Sequence, residues 1–391
     1  MTATRDYPLT AFDPPGANRA LTVIRRWHAR AWAGGAPGSR TRKFAAVVVK
    51  LDRIGDFVLA VGAIRTVLER HGEANCALVL GAGAAELAAI EFPRATRVVL
   101  PPFVRHKRAW RDWRRARRAL AGVACTELYC LRHQRWDYDE LILTWIDAGR
   151  RHVLEDPQAP RWVAGRRSVR GPARPFVEQP DPGLGRELSL HGALLAEALG
   201  RPPTREEIWP RFARLGAGGT RRGIVILPFG SATIRDFPEP LLTEALRAAA
   251  ARRPAAPLLL FGNASQRRRL GELAERLRAR GLTGVDCAPP TSVAELAEAV
   301  ARAELVLTAE SAAAHLAAAF DRPALVVIGG GHYGQFGPWR RSARQVWITN
   351  TLECFGCDWR CVHPAPYCLT RIGVDAVRAG VAQALAEGGD P

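Results

Sequence analysis

Apolar positions along the chain change period repeatedly, and those changes mark out its elements. From Phe44 onward, short runs rich in Val, Ile and Leu alternate with longer Ala/Leu/Arg segments whose apolar residues recur at helical spacing. The short runs predict strands over residues 44–49 and 76–80, and the longer segments predict helices over 57–71 and 84–92. Such alternation builds βαβ units and a parallel sheet, because parallel neighbours need a crossover between them. Residues 155–186, rich in Pro, Gly and Arg and without period, read as a long loop ahead of a helix over 187–199. The pattern breaks again over 200–222, after which strands are predicted over 223–227, 257–261, 304–307 and 324–328. No repeat of solenoid period is visible. The expected fold is therefore α/β with two Rossmann-like lobes of parallel sheet facing across a cleft, where ligands sit beyond the carboxyl ends of the strands.

Length and composition support this division. At 391 residues the chain exceeds what one core organises well. The expected domains are a basic extension over 1–43, a first lobe over 44–205 and a second over 206–350. A cysteine-rich loop and a helix returning to the first lobe are expected over 351–391. With 48% hydrophobic and 24% charged residues, a packed globular protein is implied.

Charge changes the picture more, since 56 Lys and Arg against 38 Asp and Glu leave a formal +18. Such a field attracts polyanions: nucleic acid, an anionic membrane surface or phosphorylated substrates. The N-terminal residues lack the apolar core of a secretion signal, and no apolar run approaches the roughly 18 residues of a membrane span, so a cytoplasmic protein is expected. Within the extension, Ala20 to Trp32 sets Leu21, Ile24 and Trp27 near Arg25, Arg26 and Arg30. This stretch either lies on an anionic membrane or docks on the protein's own body.

Three loops could carry chemistry. Lys50-Leu51-Asp52-Arg53-Ile54-Gly55-Asp56 follows the first strand, and Asp56 stands where a helix N-cap belongs. That place also suits a catalytic carboxylate, and the two roles are compatible. Pro228 to Pro238 is a small-residue loop in which Gly230 and Ser231 let the backbone approach a phosphate and Arg235 offers charge to it. Glu310-Ser311-Ala312-Ala313-Ala314-His315 opens a helix whose start favours an anion. Ser311 is otherwise a plain N-cap, and His315, taken alone, reads as a hydrogen-bonded core residue. Gly81-Ala82-Gly83-Ala84-Ala85-Glu86 imitates a dinucleotide fingerprint, but Glu86 holds the third glycine's place and would repel a pyrophosphate.

In this order and at these separations, the three loops resemble the ADP-heptose:lipopolysaccharide heptosyltransferases, glycosyltransferase family nine, of GT-B fold. The likeness runs from about Phe44 to the C-terminus. Its landmarks are Arg53-Ile54-Gly55-Asp56, the helix over 187–200, the loop ending Phe237-Pro238, the segment over 305–323 and the late cysteines.

The resemblance implies an inverting, metal-independent transfer of heptose or a similar sugar. The donor would be a nucleotide sugar such as ADP-heptose, and the acceptor a phosphorylated glycolipid of the lipopolysaccharide core or a related surface glycan. It implies Asp56 as general base and Arg235 at the donor diphosphate. Glu310, Ser311, Ala312 and His315 would form the nucleotide-diphosphate turn, alongside Gly55, Gly230 and Ser231. A cytoplasmic protein, peripheral on the inner face of the inner membrane, fits that work. Departures bear on the donor pocket: Glu310, Ala312, Leu227 and Gly62 stand where the family usually has Asp, Gly, His and Pro. Gly329-Gly330-Gly331-His332-Tyr333 replaces its Gly-Pro-Thr-Asp.

Cys354, Cys357, Cys361 and Cys368 are spaced to offer a tetrahedral set for a structural zinc or iron, and are otherwise reduced thiols bracing the chain; no cofactor is required for catalysis. Cys76, Cys125, Cys130 and Cys287, scattered through apolar segments, read as small buried hydrophobes. The run from Arg105 to Arg118 places eight cations around Trp110 and Trp113, which suits a phosphorylated glycolipid or anionic membrane. Two other readings remain: a basic metal-containing nucleic-acid-binding protein, which leaves the phosphate loops unused, and an inactive sugar-nucleotide-binding scaffold. With no groove-reading module recognisable, no nucleic-acid partner is expected.

Overall fold

The computed structural model describes residues 41–101, 109–132, 135, 137–154, 173–174, 185–216, 222–288, 292–339 and 342–386. The stretch Ala20 to Trp32, most of the loop over 155–186 and the cations Arg105, Lys107 and Arg108 lie outside the described residues.

Two parallel sheets carry the chain. The first is built from β1 (Arg42–Lys50), β2 (Cys76–Gly81), β3 (Thr96–Leu100), β4 (Val123–Cys130), β5 (Asp147–Leu154) and β6 (Ala173–Arg174), in the order β3-β2-β1-β4-β5-β6. The second is built from β7 (Ile224–Leu227), β8 (Leu258–Leu260), β9 (Val285–Cys287), β10 (Leu305–Ala309), β11 (Ala324–Val327) and β12 (Gln345–Ile348), in the order β12-β11-β10-β7-β8-β9. Read from β9, the second order repeats the first. Each sheet therefore has a switch point, between β1 and β4 and between β7 and β10, where successive crossovers diverge and a crevice opens.

Strands bounded by crossover helices on both faces must be apolar throughout. Accordingly Ala46 to Val49, Cys76 to Leu80, Ile224 to Leu227 and Leu305 to Leu307 are buried without alternation. Each sheet has its own core, one around Val47, Val79, Leu128 and Leu141, the other around Ile226, Leu246, Leu307 and Val327.

Two compact units result, and they do not follow chain order. One holds the described residues up to Leu51 with Leu68–Ala82 and those from Arg94 to Phe176. The other holds Asp52–Val67 and Gly83–Pro93 with the described residues from Val177 onward. The turn bearing Asp56 thus clusters with the second unit. The C-terminal helix, expected to return to the first lobe, belongs to the second unit as well: Val377, Val381 and Ala384 of Val374–Ala384 enter the core of the second sheet. A β-carbon on its Gly380 would come 2.7 Å from Leu325 Cδ1, so the helix backbone lies directly on that core.

Most predicted elements stand within a few residues of their expected ends. The helix expected from Phe57 spans Ile54–His71, that from Ala84 spans Ala82–Glu91, and that from Glu187 spans Gly185–Leu199. Cys76, Cys125 and Cys130 are buried, and burial pushes their thiols up to about 11, 12 and 12 respectively. The imitation fingerprint has a packing role. Glu86 accepts from the amides of Val293 and Ala294 at 2.9 and 3.4 Å, capping the helix Val293–Ala301.

Candidate functional site

Asp52 to Asp56 of the first loop and the two later loops meet within the second unit. The helix Ile54–His71 begins one turn earlier than an N-cap at Asp56 requires. Asp56 is instead its third residue, and Asp56 Oδ2 accepts from the Arg53 amide at 3.1 Å, the reach-back that a carboxylate at this position makes. Arg53 extends the other way, its Nη1 donating to Ser231 Oγ at 2.9 Å.

Ser231 lies in the loop after β7, at the switch point of the second sheet. Its Oγ also accepts from Arg235 Nη1 at 2.9 Å, while Arg235 Nη2 donates to the Glu310 carbonyl at 3.2 Å. One hydroxyl therefore links the Asp56 turn, through Arg53, to the arginine beside the loop after β10. Gly230 is needed for closeness: a β-carbon there would lie 2.7 Å from Arg235 Cβ. Its amide donates to Asp236 Oδ1 at 2.9 Å, and Asp236 Oδ2 pairs with Arg269, whose guanidinium lies over the Phe229 ring at 3.9 Å.

After β10, Ser311 caps the helix Ala312–Ala319, its Oγ accepting from the Ala313 amide at 3.2 Å and lying 2.9 Å from Thr308 Oγ1. Glu310 does not open toward solvent. It is 2% exposed, with Oε1 3.1 Å from Arg235 Nη2 and 3.5 Å from His332 Nδ1. Among the described residues neither Glu310 carboxylate oxygen nor Arg235 Nε makes a well-formed hydrogen bond, an uncommon state for buried polar atoms.

His315 is buried, stacks on Trp339 and accepts from Trp339 Nε1 at its Nδ1 across 3.1 Å. Burial pushes its pKa down to about 4, Arg235 adds to this, and Glu310 and Glu187 oppose it, so the ring is neutral at physiological pH. Gly55 explains why the two helix starts approach so closely. A β-carbon there would come 2.9 Å from His315 Cδ2 and 3.5 Å from Ala312 Cα. Side by side, these N-termini make a region of positive backbone potential beside Arg53 and Arg235.

The four late cysteines fall within the segment Cys354 to Cys368. Their thiols are free, and among the described residues no three His, Cys, Asp or Glu side chains converge to hold a metal ion. They are nevertheless neighbours. Burial raises the Cys361 thiol first, and Cys357, Cys368 and Cys354 raise it further. Phe355 and Trp359 of this thiol-rich loop rest on Gly329 to Gly331.

Asp236, His332 and Trp359 are site residues that sequence reasoning missed. Asp236 had a local signal in its place beside Arg235. His332 had one only in the departure at 329–333, and Trp359 had none, because its partner Arg235 lies far along the chain.

Residues 208–361 match the model of Glycosyltransferase family 9 (heptosyltransferase). No curated protein matches the chain in sequence. Among solved structures, E. coli heptosyltransferase WaaC with ADP-2-deoxy-2-fluoro heptose is 18% identical, with a TM-score of 0.61 over 86% of this chain and 98% of that one. E. coli ADP-heptose lps heptosyltransferase II is 14% identical, with a TM-score of 0.59 over 88% and 98%. The glycosyl transferase family 9 protein from Veillonella parvula is 14% identical, with a TM-score of 0.61 over 91% and 100%. At these identities the structural likeness speaks for the fold, and the family model speaks for the second sheet and its loops. The chain is thus heptosyltransferase-like, similar to glycosyltransferase family 9 over residues 208–361 and GT-B in fold, with two parallel-sheet domains.

Proposed function

We propose that this protein transfers heptose or a similar sugar from a nucleoside diphosphate donor, ADP-heptose first among them, to a lipopolysaccharide core or related surface glycan. The observation that carries this reading is the Arg53–Ser231–Arg235–Glu310 linkage, which sets the Asp56 turn beside an arginine and a capped helix start. In the reaction the acceptor O–H gives its proton to Asp56 as the oxygen attacks the anomeric carbon. The bond from that carbon to the diphosphate breaks with inversion, and the nucleoside diphosphate leaves with its pair of electrons. Arg235 and the amides at the start of Ala312–Ala319 stabilise the departing charge, so no metal is required. Glu310 Oε atoms and Arg235 Nε, buried without well-formed partners among the described residues, suit the hydroxyls and phosphate oxygens of such a donor.

The phosphorylated acceptor is matched by the helix Ala109–Ala119. Its Trp113 and Ala116 are buried in the first core, while Arg111, Arg114, Arg115 and Arg118 are exposed on the other side. No helix among the described residues is long and apolar enough to cross a membrane. We place the protein at the cytoplasmic face of the inner membrane, held there by its cationic surface.

The decisive experiment replaces Asp56 by Asn. Transfer from ADP-heptose is expected to fall by a factor of about 100 or more, with ADP binding within about twofold of the parent. Comparable turnover in D56N would remove Asp56 from the mechanism. Thermal stabilisation by duplex DNA but by no nucleotide sugar would overturn the transferase reading itself.

A further inference from the structure

The loop over 354–361 has no part in the chemistry proposed above, yet it reaches the centre of the site. Asp358 and Trp359 are consecutive non-glycine residues in the left-handed region, with φ of 48° and 60°. Such a pair is strained and persists only where surrounding contacts hold it. Those contacts are specific. The Asp358 amide donates to the Gly331 carbonyl at 3.2 Å, and the Gly356 amide to the Gly330 carbonyl at 2.8 Å. A β-carbon on Gly329 or Gly331 would come within 2.3 or 2.6 Å of the Trp359 indole, and one on Gly330 within 2.3 Å of Phe355. Three successive glycines therefore make a bare backbone shelf, in which Gly329 and Gly331 receive the indole and Gly330 receives Phe355.

Arg235 lies over that indole, its guanidinium carbon 5.5 Å from the ring centroid. His332 ties the arrangement together. Trp359 Nε1 donates to His332 Nδ1 at 3.3 Å, His332 Nε2 lies 3.2 Å from Asp358 Oδ1, and His332 Nδ1 is 3.5 Å from the carboxylate that pairs with Arg235. Arg235 is thus bounded by Ser231, by Glu310 and by an aromatic face, and only 13% of its side chain is exposed. A guanidinium over an indole face is attracted by the ring quadrupole, and that attraction favours the attitude in which Arg235 faces the ring.

We infer that Trp359, seated on the Gly329–Gly331 shelf and oriented by His332 and Asp358, is a positioning residue that holds Arg235 in the attitude needed to bind a nucleoside diphosphate. The inference deepens the proposed reading of Arg235 and rests on it. It makes the cysteine-rich loop part of the donor site through contact with an arginine rather than with the ligand.

The test uses the full chain and ADP as probe, followed by calorimetric titration. W359L is expected to weaken ADP binding about 3- to 30-fold, and W359F to keep it within about 3-fold. In an R235A background W359L should add almost nothing, because its effect runs through that arginine. Tryptophan fluorinated at one, two and four ring positions, placed at 359, drains the ring face while keeping its shape, so affinity should fall stepwise along the series. This arm also serves if W359L fails to fold. A flat series, or a W359L loss that persists in full without Arg235, overturns the inference. A separate readout needs no nucleotide: the Arg235 Nε–H resonance in the ligand-free protein, identified with R235K, should move in W359L or along the fluorinated series. An unmoved resonance overturns the positioning role whether or not ADP binds. A moved one, in a protein that binds no ADP, preserves that role and sinks the donor reading instead.

Discussion

His315 receives the Trp339 indole N–H at its Nδ1 and has its pKa pushed down to about 4 by burial, against 6.5 for the unperturbed ring. Between those values the unfolded chain binds more protons than the folded one, so stability rises with pH across that window and is lost as pH falls through it. Denaturant titrations should show the protein losing roughly 2–3 kcal/mol between pH 7.5 and 4.5 from this group. H315Q should flatten that dependence, and an unchanged pH profile in the variant would show that other groups carry it. Gly62 is a second site where one atom matters. A β-carbon there would come 2.4 Å from the Trp209 carbonyl oxygen and 2.6 Å from Ile208 C, and this backbone has no rotamer to yield. G62A is expected to cost about 1–3 kcal/mol in chemical denaturation, as overpacking does. Asp56, Arg235 and Ser311 were legible as candidates because each lies in the turn that follows a strand. Trp359 was not, since nothing in its neighbours along the chain announces an arginine more than a hundred residues away.

Among the elements, the junction over 211–215 is held by one carboxylate. Glu91, 3% exposed, accepts from the amides of Ala213, Arg214 and Leu215 at 2.8, 3.0 and 3.3 Å and pairs with Arg65. E91Q keeps the shape but loses the charge, and should cost about 1–3 kcal/mol; E91A leaves the amides unmet and should cost more. Equal stabilities of E91Q and E91A would show that water satisfies these amides. Element existence was readable because strands covered on both faces must be apolar without break, as Ala46 to Val49 and Leu305 to Leu307 are. Element ends were less readable, because side chains set them: the helix after β1 starts at Ile54, one turn before the continuous apolar run that opens at Phe57, since Asp56 reaches back to the Arg53 amide. The destination of the C-terminal helix was invisible for the same kind of reason. Its apolar stripe shows that it packs, and only contact with Leu325 and Val346 shows where.

At the scale of the whole molecule, each sheet carries a separate core, and Asp52 to Asp56 and the two later loops of the site gather in the second unit. Calorimetry is expected to resolve two unfolding transitions. ADP at about 100 times its Kd should add about 2.7 kcal/mol to the one that includes the second sheet and leave the other in place. A single transition that moves as a whole with ADP would show the two cores unfolding as one. The formal +18 belongs to this scale too. Binding to vesicles rich in anionic lipid should weaken steeply with salt, and glutamine at Arg111, Arg114, Arg115 and Arg118 together should reduce it; salt-independent binding would remove the electrostatic account. The alternation of apolar period by itself determined two parallel-sheet α/β halves, and the position of small and charged residues after β1, β7 and β10 determined which turns to watch, because both follow from local periodicity and from where parallel strands end. Tertiary structure alone decided that Ser231 joins two arginines, that Glu310 faces inward, that four cysteines become neighbours, and that Trp359 lies against Arg235. Each of these is a contact between residues far apart in the chain, set by how glycines and helix starts let backbones approach, and no local pattern encodes such distances.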